Sequence, residues 1–193
     1  MGCRVAVIGS NRFWGPDTPD ICAAIGARLA ELPQAVLITG GMPGVGERVG
    51  RSFWSHCLQM GTKAEIFHIL PEGCESWDYG VTLCAGVSME DRREILGRLP
   101  AVFVALEGGP GTAHEAQVAM RHGTAVVPVG RTGGYSRSLY PLLPCPYPDL
   151  TEEWPTLNDE NAGVEQLARA VFEVVRELWR KSEGRREHGS AGR

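Results

Sequence analysis

Five short apolar runs recur along the chain at spacings that suit buried strands. They cover residues 4–9, 34–39, 64–70, 101–106 and 124–129. Most positions of each run are apolar, which is typical of a strand that is buried on both faces of a parallel sheet. Pro128 interrupts the last run, so we expect this strand to lie at an edge of the sheet or to end there.

Helical patterns separate these runs. The first helical pattern contains the apolar residues Ile21, Ala24, Ile25 and Leu29 at helical spacing. Further helical patterns cover about 45–59, 89–99, 112–122 and 163–180. Strands that alternate with helices predict the α/β class, with right-handed crossovers. We therefore expect a Rossmann-like doubly wound parallel β-sheet of about five or more strands flanked by helices.

The chain has 193 residues, of which 43% are hydrophobic, so it can bury a full core as one domain. We expect a single nucleotide-binding domain over residues 1–181. Residues 182–193 are polar, basic and glycine-bearing, and predict a disordered tail. The longer segment 72–87 is a candidate lid or substrate loop, and 130–161 shows no clear period.

Glycine-rich turns follow several of the predicted strands. Doubly wound sheets bind ligands beyond the carboxyl ends of their strands, so these turns are the candidate ligand site. Gly9 and Ser10 follow the first strand, and Gly40 and Gly41 follow the second. The second turn fits the wall of a nucleotide pocket about as well as it fits a plain tight turn. It is a weak dinucleotide fingerprint, because Val49 occupies the last required glycine position.

The sequence LEGGPGTAHEA runs from the fourth strand directly into a helix. Glycines here let the backbone approach an anion, and a helix N-terminus offers unpaired N–H groups and a positive dipole end. In this interpretation the turn binds a phosphate, and the carboxylate of Glu115 lies beside it. The alternative is that Thr112 and Glu115 form a T-x-x-E capping box, in which Glu115 only caps its own helix.

Arg92 and Arg93 lie in the first turns of the helix before the fourth strand, where Ser88 and Asp91 resemble a capping box. Cations near a helix N-terminus are unfavourable for the dipole. The two arginines either pair with neighbouring acidic residues or meet an anionic ligand.

Composition narrows the function classes. The net charge is −4, which does not favour binding to nucleic acid or an anionic membrane. The six cysteines have no metal-site spacing, so we expect reduced, buried thiols, no metal and a cytoplasmic protein. A Walker A lysine and a G-x-S-x-G elbow are missing from the sequence, which disfavours a P-loop ATPase and a serine hydrolase.

Several motifs together resemble one superfamily over residues 4–140. VFVALEGGPGTAHE resembles the P-G-G-x-G-T-x-x-E signature of the LOG (Lonely Guy) proteins, and is equally similar to the related molybdenum cofactor carrier-like proteins. MEDRRE resembles their M-x-x-R-[KR] element, ITGGMPGVGE their T-G-G-x-x-G-[LV]-M turn, and AVVPVGRTGGY the segment after the signature helix. Three positions differ from the LOG pattern. Glu107 replaces the leading proline and adds a negative charge beside the phosphate seat, Glu90 replaces a histidine, and Arg93 replaces a lysine.

The resemblance implies a phosphoribohydrolase, which cleaves the N-glycosidic bond of a nucleoside 5′-monophosphate and releases free base and ribose 5-phosphate. It implies that Glu115 and Arg92 are catalytic and that the 5′-phosphate is held by Gly108, Gly109, Gly111 and Thr112. It also implies a small phosphate-bearing ligand, no cofactor and a homodimer. The alternative is a non-catalytic nucleotide or molybdenum cofactor carrier.

Overall fold

The fold is described by a computed structural model, which covers residues 2–99 and 102–190, with side chains up to residue 182. Its centre is a six-stranded, fully parallel sheet in the order β4-β3-β2-β1-β5-β6. The strands are β1 Arg4–Gly9, β2 Val36–Thr39, β3 Glu65–Leu70, β4 Val81–Cys84, β5 Val102–Leu106 and β6 Ala125–Val129. The predicted Rossmann-like doubly wound sheet is confirmed.

Helices connect the strands. They are α1 Thr18–Ala30, α2 Val45–Gln59, α3 Met89–Leu96, α4 Pro110–Arg121, α5 Gly134–Leu139, α6 Glu153–Thr156 and α7 Val164–Ser190. The predicted start of α3 is confirmed, because the Ser88 hydroxyl accepts a 3.1 Å hydrogen bond from the Asp91 amide. No helix in the described part of the chain is long and apolar enough to cross a membrane.

Two apolar layers cover the sheet. Successive residues of a strand point to opposite faces, so Val5 and Val7 of β1 belong to one core cluster while Ala6 and Ile8 belong to the other. The first cluster includes buried residues of α1, α2 and α7, and the second includes residues of α3, α4 and α5. Every residue of β5 is buried, as its continuous apolar run predicts. Three cysteines are buried as expected, but Cys74, Cys84 and Cys145 are exposed.

The strand order reverses at the centre of the sheet. β1 pairs with β2 on one side and with β5 on the other, and Gly9 lies opposite Leu106 in that register. Chain connections leave β1 and β5 in opposite directions at this point, which opens a crevice beyond their carboxyl ends. The turns that follow β1 and β5 therefore meet at this crevice.

Two elements, β4 and α7, differ from the sequence-based expectation, and β6 agrees with it. β4 lies within the predicted loop 72–87, and its mostly exposed side chains give it no apolar run. β6 is an edge strand, as Pro128 predicts. α7 continues to Ser190, beyond the predicted helix end near residue 180, and the disorder of residues 182–193 stays a prediction. Ion pairs of Glu177 with Arg180 and Lys181 stabilise the turn of α7 around residues 177–181. Residues 191–193 of that tail lie outside the described residues.

His68 of β3 is a buried polar residue. The hydroxyl of Thr39 lies 2.8 Å from its Nδ1, and its Nε2 lies 3.1 Å from the carbonyl of Tyr79. The Thr39 hydroxyl oxygen also accepts a hydrogen bond from the Gly41 amide. This pattern suits a neutral ring that donates from Nε2 and accepts at Nδ1. Burial lowers the pKa of His68 below its ordinary value.

This burial predicts a loss of stability in mild acid. Below the ordinary histidine pKa of about 6.5 the unfolded chain binds a proton at His68 that the folded chain excludes. The free energy of unfolding therefore rises with pH through this window, by at most about 1.4 kcal/mol per pH unit from this one proton. Urea unfolding of the wild type and His68→Gln from pH 8 to 5 checks this. Equal pH slopes in the two proteins would contradict it.

Candidate functional site

A pocket of about 310 Å³ opens at the crevice beyond β1 and β5. Its wall combines the turn after β1, the first turn of α3 and the first turns of α4. Eight of the predicted site residues line it, namely Gly9, Ser10, Arg92, Arg93, Gly109, Gly111, Thr112 and Glu115. Gly40 lines a small adjoining cavity that shares Arg92 and Glu115. The structure therefore brings together residues that lie up to 106 positions apart.

Arg92 and Glu115 form a buried ion pair in the pocket wall. Nη1 of Arg92 donates to Oε1 of Glu115, and the two side chains are only 3% and 8% exposed. The other carboxylate oxygen of Glu115 has no hydrogen-bond partner among the described residues. Burial raises the pKa of the Glu115 carboxyl, and the charge of Arg92 offsets part of that rise. The pair thus presents a partly neutralised carboxylate to the pocket.

Two local alternatives for these residues are wrong. α4 begins at Pro110 rather than near Thr112, which places Glu115 in the second turn, beyond reach of its own helix cap. The guanidinium of Arg92 turns away from its acidic neighbours on α3 and lies over Gly40. A methyl group at Gly40 would come within 2.8 Å of Nη1 of Arg92, so the close approach requires glycine at this position.

The N-terminus of α4 carries unpaired donors. Gly109 is the cap residue and supplies no side-chain cap, and Pro110 has no N–H. The first bond of the helix runs from the Ala113 amide to the Gly109 carbonyl at 2.9 Å. The amides of Gly111 and Thr112 therefore have no partner within the helix and are available to an anion, together with the positive end of the dipole.

Arg93 adds a second positive charge at this helix end. Its guanidinium lies beside Gly111, where an added methyl group would come within 3.1 Å of Nη2. Its buried Nε has no hydrogen-bond partner, and no acidic side chain of residues 2–99 or 102–182 forms an ion pair with it. A cation next to the positive end of a helix is electrostatically unfavourable unless an anion lies between them. This arrangement fits a phosphate-sized anion.

Gly41 and Gly108 do not line the pocket, although both were predicted to bind the ligand. Both adopt positive φ, of 62° and 92°. An added methyl group at Gly41 would come within 2.6 Å of Leu70, and one at Gly108 within 2.5 Å of Thr112. The structure thus gives them a role in shaping the two turns, and phosphate binding by them stays a prediction.

Glu107 has a different environment from the one that the sequence suggested. Its carboxylate does not line the phosphate seat but is completely buried. It accepts hydrogen bonds from the hydroxyls of Ser10 and Thr18, and from the amides of Trp14 and Gly15 at 2.9 and 3.0 Å. The expectation of an added negative charge facing the phosphate seat is therefore wrong, because these donors enclose the charge.

The bond between Ser10 and Glu107 also limits what Ser10 can do. Its hydroxyl hydrogen is directed to the carboxylate, so the side chain offers a ligand only lone pairs. Arg12, Trp14 and Met42 also line the pocket, and none of them is among the predicted site residues. The only sequence signal for these three was their position in turns that follow β1 and β2.

A larger groove, of about 710 Å³, lies at the opposite edge of the sheet, near the amino ends of β2 and β3. It includes none of the predicted site residues. Its wall is largely apolar, with Phe53, Pro33 and Ala30 among its members. The residues with candidate chemistry are all at the carboxyl edge.

The sheet order, the crevice and the uncapped helix define a Rossmann-like α/β protein with a candidate anion site at the switch point. Residues 2–140 match the profile of the SLOG cluster4 family, and the chain therefore belongs to that family. No curated protein matches the sequence significantly.

Solved structures give the same assignment of fold. TM1055 is 27% identical with a TM-score of 0.62, over 74% of this chain and 82% of that protein. The Moco carrier protein from Chlamydomonas reinhardtii is 19% identical with a TM-score of 0.60, over 92% and 99% of the two chains. DNA processing protein A from Helicobacter pylori, described with a single-stranded DNA binding mode, is 15% identical with a TM-score of 0.50, over 65% and 64%. The resemblance to the LOG and carrier-like superfamily is confirmed; the two lower identities show the fold alone.

The buried pair predicts strong coupling between Arg92 and Glu115. Arg92→Met should lower the free energy of unfolding by about 3–5 kcal/mol, because it leaves a buried carboxylate without its counter-charge. The double variant Arg92→Met/Glu115→Leu should lose much less than the sum of the single changes. Urea unfolding measures both. Arg121→Met, whose side chain is 62% exposed, is the control and should change stability by less than about 1 kcal/mol. A loss in Arg92→Met no larger than in this control would contradict the prediction.

Proposed function

We propose that this protein is a phosphoribohydrolase that cleaves the N-glycosidic bond of a nucleoside 5′-monophosphate and releases free base and ribose 5-phosphate. One observation carries the proposal. The Arg92–Glu115 pair lines the same pocket as the uncapped N-terminus of α4 and the unpaired Arg93. A phosphate seat and a carboxylate are thus available to one ligand. Glu115 lies about 4.5–6 Å along the helix axis from Thr112 and Gly111, so the phosphate donors and the carboxylate are within the length of one ribose 5-phosphate unit.

The charges suit this reaction. Glycosidic cleavage passes through an oxocarbenium-like state, which a carboxylate stabilises while it positions the attacking water. The second oxygen of Glu115 is available for that role, and Arg92 holds the first one in place. In this proposal the amides of Gly111 and Thr112, together with Arg93, hold the 5′-phosphate and so position the sugar over Glu115.

A non-catalytic carrier is the second candidate. It is favoured by the likeness to the Moco carrier protein, which extends over nearly the whole of both chains. It is also favoured by Glu115 itself, because a carboxylate already paired with Arg92 can fix an arginine for binding rather than activate water. The two functions differ in turnover: a carrier is stabilised by its ligand but releases no product.

We infer that the natural ligand is a small molecule rather than a nucleic acid. The net charge of −4 disfavours binding along a phosphate backbone, and the pocket is the size of a small-molecule site.

A homodimer remains a prediction from the resemblance. Size-exclusion chromatography with light scattering measures the oligomeric state directly, and a monomer would contradict that prediction.

Glu115→Gln tests the hydrolase. The amide can still accept a hydrogen bond from Arg92 but supplies no negative charge to the transition state, so base release should fall by at least about 100-fold. AMP binding should remain, because the phosphate seat is unchanged. Chromatography of free base, after incubation with a panel of nucleoside monophosphates that includes AMP and isopentenyladenosine monophosphate, measures turnover. Glu90→Gln, an exposed neighbour outside the pocket, is the control.

Each outcome of that assay is informative. Base release by the wild type that is lost in Glu115→Gln supports the hydrolase. Undiminished turnover in Glu115→Gln would contradict the role of the carboxylate. If the wild type releases no base from any nucleotide yet is thermally stabilised by one, the carrier replaces the hydrolase.

Arg93→Gln tests the phosphate seat. A hydrogen bond to a charged group contributes about 1.5–3 kcal/mol, so AMP affinity should fall by roughly 10- to 150-fold, while adenosine affinity should not change. Calorimetry at one salt concentration, in the Glu115→Gln background to prevent turnover, measures both. Arg98→Gln, on the exposed side of the same segment, is the control. An equal loss for AMP and adenosine would place the phosphate elsewhere.

A further inference from the structure

The carboxylate of Glu107 joins β5 to the loop that follows β1, which we call the β1 loop (residues 10–17). Its Oε1 accepts from the amides of Trp14 and Gly15 and from the hydroxyl of Thr18 at 2.7 Å, and its Oε2 accepts from Ser10. All four donors are uncharged. A buried carboxylate is costly unless its lone pairs are satisfied, so these bonds hold the β1 loop in one position.

The backbone of Glu107 is constrained as well. Its φ is 51°, a left-handed conformation that is uncommon outside glycine. Its N–H donates to the hydroxyl of Thr132 at 2.7 Å, and its carbonyl accepts from the amide and the hydroxyl of Ser136, each at 3.0 Å. The side chain and backbone of Glu107 are thus hydrogen-bonded to three parts of the chain: the β1 loop with Thr18, Thr132, and Ser136 of α5. Strain of this kind persists only where the surroundings over-determine it, and it concentrates at functional sites.

Trp14 is the exposed part of the loop that Glu107 holds. The residue is 58% exposed and lines the pocket, although its amide donates a hydrogen bond to a fully buried carboxylate. The ring rests against Gly134 at the start of α5, where an added methyl group would come within 2.6 Å of Cζ3. One part of the ring is therefore supported by the protein, and the rest is open at the rim of the phosphate pocket.

We propose that Trp14 stacks on the planar ring system of the bound ligand, and that Glu107 is the positioning residue that holds Trp14 at the pocket rim. This proposal rests on the proposed function, since it assigns the base end of a ligand whose phosphate lies at α4. An exposed indole at the rim of a pocket that also holds charged side chains suits a nucleobase, because every base has a π-face that stacks on an aromatic ring. The implied ligands are those with both a phosphate and a planar heterocycle.

Binding of two ligands to the Glu115→Gln protein tests the stacking. AMP has a phosphate and a base, whereas ribose 5-phosphate has the phosphate alone. Trp14→Ala should weaken AMP binding by about tenfold or more and change ribose 5-phosphate binding by less than about twofold. Trp14→Phe, which keeps an aromatic face, should recover most of the AMP affinity.

A double-mutant cycle tests the role of Glu107. Glu107→Ala should weaken AMP binding much as Trp14→Ala does, and Trp14→Ala/Glu107→Ala should bind AMP as Trp14→Ala alone does. Glu107→Gln should retain most of the affinity, since its amide oxygen can accept from Trp14, Gly15 and Thr18 while its NH₂ donates to Ser10. If Glu107→Ala does not fold, Thr18→Val replaces it in the cycle, because it removes one bond to the carboxylate from outside the pocket.

The outcomes separate this proposal from the proposed function. Equal effects of Trp14→Ala on AMP and ribose 5-phosphate, or no effect on either, would overturn the stacking while leaving the phosphate seat intact. Losses of AMP affinity that simply add in the double variant would show that Glu107 does not act through Trp14. If the wild type and the Glu115→Gln protein bind neither ligand, the phosphate seat itself is wrong, and this proposal fails with it.

Discussion

The site depends on one buried carboxylate, that of Glu107, which has no charged partner among the described residues. Glu107 directly follows β5 in a left-handed conformation, and its side chain crosses the switch point of the sheet to accept four hydrogen bonds from the β1 loop and Thr18. Two of those bonds go to the amides of Trp14 and Gly15, and so fix the backbone from which the Trp14 ring reaches Gly134. The two walls of the pocket come from turns that meet only because the strand order reverses between β1 and β5.

Charge is distributed unevenly around this pocket. Arg92 is neutralised by Glu115, whereas Arg93, the next residue, lies at the positive end of α4 without an acidic partner among the described residues. α3 thus supplies Arg92 to a buried ion pair and Arg93 to the candidate anion site at the N-terminus of α4. A ligand with a phosphate would balance the second arginine and would lie beside the carboxylate of the first pair.

The fold was largely predictable because its buried strands are continuous apolar runs, and the switch-point location of the site follows from parallel topology. β4 was missed, since an edge strand with exposed Val81 and Leu83 lacks that signal. The ion pair and the bonds of Glu107 were not predictable from local spacing, because they join residues 23 to 97 positions apart. The misplaced start of α4 had a local cause: the T-x-x-E pattern suggested a cap at Thr112, while Pro110 begins the helix.

A crystal structure of the Glu115→Gln protein with AMP would show whether the N-terminus of α4 binds the phosphate of a nucleotide. We expect the phosphate within hydrogen-bond distance of the amides of Gly111 and Thr112 and of the Arg93 guanidinium, with the adenine against Trp14. A phosphate bound at any other place, or a pocket that stays empty at saturating AMP, would contradict it.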